Sequence, residues 1–149
     1  MLASGDMILE LIPQRPPMVM VGKLLACDEK STTTSLTISE NNVFVSRKLF
    51  SPSGLLESMA QTAALRTGWL LRNKPGAANK NIPVGVIGSI KNFKLNFQPA
   101  AGSEIITTIN VEYEFGNATL ISGKVLSNDR LAAEAEMQIF LTDNGADPS

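Results

Sequence analysis

Hydrophobic and polar positions change their period twice along this chain. Gly5 to Leu11 read as a short helical lead-in that Pro13 ends. Pro16 to Cys27 opens with two prolines and continues through Met18, Val19, Met20 and Val21, an apolar run that predicts a buried strand. Lys30 to Asn41 alternates Ser, Thr and Ile, the pattern of a half-exposed strand. The period then becomes helical. Ser51-Pro52 places a capping residue before a proline at the first helical position. From Ser53 to Leu71 the chain is rich in Leu, Ala, Met and Gln with no internal proline, which predicts one long helix. Asn73-Lys74-Pro75-Gly76 stops it, and Ala77 to Asn81 follow as a loop.

Strand-type sequence then runs to the end. Pro83–Phe97, Ser103–Phe115, Thr119–Ser127 and Leu131–Leu141 predict four strands. Turns are expected at Pro99–Gly102, Gly116-Asn117 and Asn128-Asp129. The polar tail, 142–149, is expected to fray. Two strands, one long helix and four strands make an α+β layout with an antiparallel sheet wrapped on the helix. All of it, 1–149, reads as one domain.

Composition narrows the chemistry. The chain is 44% hydrophobic and 18% charged, enough apolar residues for a core. Thirteen Lys+Arg against fourteen Asp+Glu leave a net charge of −1, not the basic excess of a nucleic-acid binder. A single cysteine, Cys27, excludes an internal disulfide and a Cys-rich zinc site. There is no histidine, so every His-based catalytic scheme or metal site within the chain is excluded. Carboxylate, lysine, tyrosine and cysteine remain for acid–base work. Cys27 reads as core rather than nucleophile, since no imidazole can activate it. Neither a metal nor a cofactor is expected. The N-terminus lacks a signal peptide's basic region, and each apolar stretch is below the roughly 18 residues of a spanning helix. A soluble, cytoplasmic protein is the expectation.

On a helical wheel Glu57 shares a stripe with Ala60, Gln61, Ala64 and Gly68, while Arg66 points the opposite way, toward solvent or a partner. Small residues on that stripe predict close approach of the sheet there. A carboxylate at such a place is partly desolvated, which suits it to proton transfer. An acid favoured by the dipole of the first helical turn is the other reading of Glu57.

The string Gly54-Leu55-Leu56-Glu57-Ser58-Met59-Ala60-Gln61 resembles the central-helix signature of the β-hydroxyacyl-acyl carrier protein dehydratases. Upstream, Leu11-Ile12-Pro13-Gln14-Arg15-Pro16-Pro17 is similar to that family's Leu-Pro-His-Arg-x-Pro opening. Downstream, Phe93–Phe97 and Pro99–Gly102 stand where the family has a basic strand and its turn. The resemblance spans about Ile8 to Leu141 in element order. It implies a hotdog fold, assembled as a homodimer or higher oligomer with sites at the interface. The implied substrates are 3-hydroxyacyl thioesters of acyl carrier protein or coenzyme A.

Carried over residue by residue, the resemblance makes Glu57 the catalytic carboxylate and Gln61 its companion one turn later. The family's catalytic histidine has no counterpart in the loop Asn42–Phe50, which also lacks the family's glycine and prolines. The family's Pro-Gly pair aligns with Ser51-Pro52, and proline has no N–H to polarise the thioester carbonyl. Ser53 or Gly54 are the substitute oxyanion donors, because first-turn amides are free. Arg47 and Lys48 are candidates for binding an acidic carrier protein or a phosphopantetheine phosphate, with Lys91 and Lys94 secondary. Solvation of a loop and an outer sheet face explains the same four charges. Tyr113 and Trp69 read as packing or interface aromatics, and Met18, Met20 and Met59 as core or as the lining of an acyl tunnel. Three functions stay open. The chain is a dehydratase using Glu57, alone or with a partner's histidine; or a non-catalytic subunit of a heterodimer with a histidine-containing paralogue; or a thioesterase using Glu57.

Overall fold

A computed structural model describes residues 1–75 and 83–142 of the chain. β1 (Ala3–Ser4) and α1 (Asp6–Leu11) lead into β2 (Lys23–Cys27) and β3 (Ser31–Thr37). A small hairpin of β4 (Val45–Ser46) and β5 (Leu49–Phe50) precedes α2 (Pro52–Arg72). β6 (Val84–Leu95), β7 (Glu104–Phe115), β8 (Ala118–Ser127) and β9 (Arg130–Thr142) follow. Seven strands form one antiparallel sheet in the order β1-β2-β3-β7-β8-β9-β6. A long helix on a large antiparallel sheet is the hotdog arrangement. No described helix is long and apolar enough to cross a membrane.

The helix meets the sheet through Leu55, Ser58, Met59, Thr62 and Leu65, all buried. Ile105 and Ile109 of β7, Ile121 and Val125 of β8 and Met137 and Ile139 of β9 face Leu55 and Met59 in the main core. Gly123 on β8 leaves room for Met59, whose Sδ lies 2.8 Å from where a Cβ would stand. A polar seam crosses this apolar contact. Ser58 and Thr107 share a hydrogen bond at 2.8 Å, as do Thr34 and Thr62. Thr62 donates its own hydroxyl to the Ser58 carbonyl, so Thr34 is the donor of its pair. Buried hydroxyls that are satisfied only in one alignment set the helix's register on the sheet.

The hairpins close where turn residues were expected. Gly116 has φ 61, and Asn128 and Asp129 have φ 52 and 60. The predicted helix and the four later strands are present within a few residues. The strand expected over Pro16–Cys27 is a correction, since only Lys23–Cys27 is paired. Its first half runs as a loop because the polar groups of Met18 and Met20 bond to a helix side chain instead. The strand expected to reach Asn41 stops at Thr37. The second correction concerns the small-residue stripe. A Cβ on Gly68 would lie 2.2 Å from the Leu11 carbonyl oxygen, so the close approach at that end of the stripe is made by α1 and not by the sheet, while Ala60 and Ala64 border a slot facing the sheet. The expected loop at Ala77–Asn81 and residues 143–149 of the tail lie outside the described residues.

Candidate active site

Helix α2 starts under tight local control. Ser51 is the N-cap, and its hydroxyl accepts the Gly54 N–H at 3.2 Å. Pro52 at the first helical position lacks an N–H that would have had no helical partner anyway. Gly54 is required for packing, because a Cβ there would meet the Phe50 ring at 2.5 Å and Phe44 at 2.8 Å. Of the two oxyanion candidates, Gly54 is therefore buried with its amide already engaged by the cap. Ser53 is exposed, and its first-turn amide has no helical partner.

One turn further, Glu57 is half-buried and Gln61 is fully buried. Gln61 Oε1 accepts the Met20 N–H at 2.6 Å, and its Nε2 donates to the Met18 carbonyl at 2.8 Å. The second Nε2 hydrogen goes to Glu57 Oε2 at 2.9 Å. These backbone partners fix which end of the amide is oxygen. Gln61 thus does two jobs at once: it ties the loop before β2 to the helix, and it holds the Glu57 carboxylate in one orientation. Every polar atom of Gln61 is used within the protein.

Glu57 lines a cavity of about 310 Å³ between α2 and the β6–β9–β8 end of the sheet. Ala60, Ala63, Ala64 and Thr67 continue the helix wall, and Val86, Ile87, Ile121 and Ile139 form the sheet wall. Alanines on one side and branched aliphatics on the other make a slot suited to an apolar chain, with the carboxylate in its lining. Gln14, from the loop after α1, lines the same slot. In the sequence Gln14 stands out only as part of the opening motif. Its signal was a polar residue framed by Pro13 and Pro16, where neither helix nor strand can form.

Arg66 is a correction. Its side chain is only 12% exposed, and it does not reach into solvent. Nε and Nη2 both donate to the Glu29 carbonyl, at 3.1 and 2.7 Å, and Nη2 also meets Glu114 Oε1 at 3.1 Å. The long side chain lies along the protein to satisfy the β2–β3 turn and also borders the cavity. That turn is shaped by Asp28, whose Oδ1 accepts the N–H groups of Lys30 and Ser31, both at 2.8 Å. These two donors hold the Asp28 carboxyl below the usual carboxylate range.

The remaining candidates separate clearly. Arg47 and Lys48 form the tip of the β4–β5 hairpin, both exposed and both in the left-handed region, with φ 54 and 65. Lys91 and Lys94 stand in register opposite Glu136 and Glu134 on β9, so their charges have carboxylates beside them. Cys27 is partly buried against Thr32, and burial pushes its thiol up, away from a reactive thiolate. Met20 and Met59 belong to the core and Met18 is exposed; none of the three lines the cavity. Tyr113 is exposed and stacked on Phe115, and Trp69 packs beside α1. Among the described residues no three metal-ligating side chains are grouped to hold an ion.

Comparison with known proteins gives a consistent picture. Residues 7–147 match the sequence model of the ApeP-like family, described as ApeP dehydratase. The chain is 23% identical over 149 residues to the 3-hydroxyacyl-[acyl-carrier-protein] dehydratase FabZ of Wolinella succinogenes, covering 96% of this chain and 98% of that protein. Its fold is similar to the dehydratase heterocomplex ApeI:P from Xenorhabdus doucetiae, with a TM-score of 0.77 at 14% identity over 93% and 92% of the two chains. It is also similar to a hypothetical thioesterase from Streptococcus pneumoniae solved with coenzyme A, with a TM-score of 0.64 at 9% identity over 82% and 86%.

Proposed function

Because this chain belongs to the ApeP-like dehydratase family, we propose that it handles 3-hydroxyacyl thioesters, with Glu57 as its acid–base group and a histidine-containing paralogue as its partner. The observation that carries this reading is the Glu57 carboxylate, held by Gln61 at 2.9 Å in the lining of an apolar slot. Dehydration removes a Cα proton and delivers a proton to the departing 3-hydroxyl. Gln61 occupies Oε2, which leaves Oε1 to carry a proton in one of these steps. The other step needs a second group of suitable basicity, and a chain without histidine does not offer an imidazole. A paralogue carrying one completes the pair across a subunit interface. The structural relative described as a heterocomplex of dehydratases supports this arrangement. In the same reading the Ser53 amide polarises the thioester carbonyl in place of the N–H that Pro52 lacks. Arg47 and Lys48 at the exposed hairpin tip draw in the acidic surface of an acyl carrier protein.

The test follows enoyl product and free thiol from a 3-hydroxyacyl thioester, with the chain alone and with its co-purified partner. Enoyl product from the assembly, falling roughly 100-fold or more in Glu57→Gln, is expected. Free thiol instead of enoyl product would make the protein a thioesterase. Full activity of the assembly carrying Glu57→Gln would leave this chain a non-catalytic subunit.

A further inference from the structure

The loop that carries Gln14 is anchored at both ends on the same stripe of α2. On one side the Leu11 carbonyl is seated against Gly68. On the other, Met18 and Met20 are bonded to Gln61. Between these anchors Arg15 turns its guanidinium back onto the carbonyls of Ile12 and Gln14, at 2.8 and 2.7 Å. The loop therefore has little freedom, and Gln14 lines the slot that Glu57 also lines.

Gln14 Oε1 stands apart from the other buried side-chain polar atoms of the described residues. Among the described residues it is the buried side-chain oxygen or nitrogen with no hydrogen-bond partner. The neighbouring glutamine, Gln61, uses every polar atom it has. A buried polar atom left unpaired is costly, and such atoms in folded proteins are completed by an ordered water, an ion or a ligand. The polar residues that share the slot wall, Glu57, Arg66, Thr67 and Thr119, make no hydrogen bond to Gln14 Oε1, so a bound ligand is the donor it can take.

We infer that Gln14 is a ligand-contacting residue: its amide receives the 3-hydroxyl of an acyl thioester bound beside Glu57, and so selects hydroxyacyl over saturated acyl chains. This rests on the acyl-thioester reading of the site and adds a specificity residue to it. A hydroxyl both donates and accepts, so it satisfies the amide whichever of its two ends faces the slot. An acyl methylene or a thioester carbonyl has no proton to donate to Oε1. A pantetheine amide is the competing donor, and it is common to hydroxylated and saturated ligands.

The experiment titrates the full-length protein, in the assembly in which it purifies, with amide-linked analogues of 3-hydroxyacyl-pantetheine and acyl-pantetheine of equal length. Wild type is expected to bind the hydroxylated analogue roughly tenfold more tightly, the effect of satisfying one buried acceptor. Gln14→Met, close in shape and without the amide, is expected to bring the two affinities within about twofold while keeping affinity for the saturated analogue. Its melting temperature should stay level or rise, because an unpaired buried group has gone; a glutamine needed for structure would show the opposite. Gln14→Asn, which retains the amide but withdraws it by one methylene, is the second variant and should narrow the preference. Equal binding of both analogues by wild type, or a preference that survives Gln14→Met, overturns the inference and leaves the acyl-thioester reading standing. If neither analogue binds, that reading fails and the inference fails with it.

Discussion

Gln61 shows how much one side chain can decide. It is fully buried, 41 residues from one of its partners and four from another, and its amide joins a loop, a helix and a carboxylate. Gln61→Leu would keep the volume and strand the Met20 N–H and Met18 carbonyl. A loss of about 3 kcal/mol in urea unfolding is expected, with weaker activity of any assembly that relies on Glu57. Asp28 offers a pH-dependent counterpart at the surface. Its carboxyl is held low by two backbone donors. Whatever stability it adds is present above its unfolded-state pKa of about 3.9 and is lost as pH falls through the lower native value. Asp28→Ala should lower the melting temperature near neutral pH, and the gap to wild type should shrink by pH 3.

At the scale of elements, two glycines that look alike in sequence have different jobs. Gly123 faces a methionine side chain that can move aside, whereas Gly68 faces the Leu11 backbone, which cannot. Gly68→Ala should therefore displace α1 and cost about 2 kcal/mol or more, and Gly123→Ala much less, both measured by chemical denaturation. The helix and the later strands were legible because their signals are local. Ser51-Pro52 caps the helix from within its own first turn, and Gly116 and Asn128-Asp129 supply the positive φ that their hairpins need. The Met18–Val21 run is not a strand for the opposite reason. Apolar residues in sequence suit a strand, but a strand also needs its backbone groups free to pair, and Gln61 had taken them.

For the whole molecule, the sheet ends in a long edge. β6 has twelve residues and a neighbour, β9, on one side only, and Val86, Ile87 and Ile90 on it are between 38% and 50% exposed. An apolar edge of this length invites another chain. Val86 and Ile87 also line the Glu57 slot, so a subunit docked on this edge would border the site. Ile90, which is outside the slot, is the residue to change: Ile90→Lys is expected to shift the protein to a smaller species in size-exclusion chromatography while its circular dichroism is unchanged. The sequence alone determined the α+β layout, the long helix with Glu57 and Gln61 one turn apart, and the absence of imidazole, because periodicity, capping and composition are local or global sums. Tertiary structure decided that the Gly68 end of the small-residue stripe takes α1, that Arg66 turns back onto the β2–β3 turn, and that Gln14 is left with an unpaired oxygen beside the slot. Each of these depends on which polar groups find partners far along the chain, and no local pattern encodes that pairing.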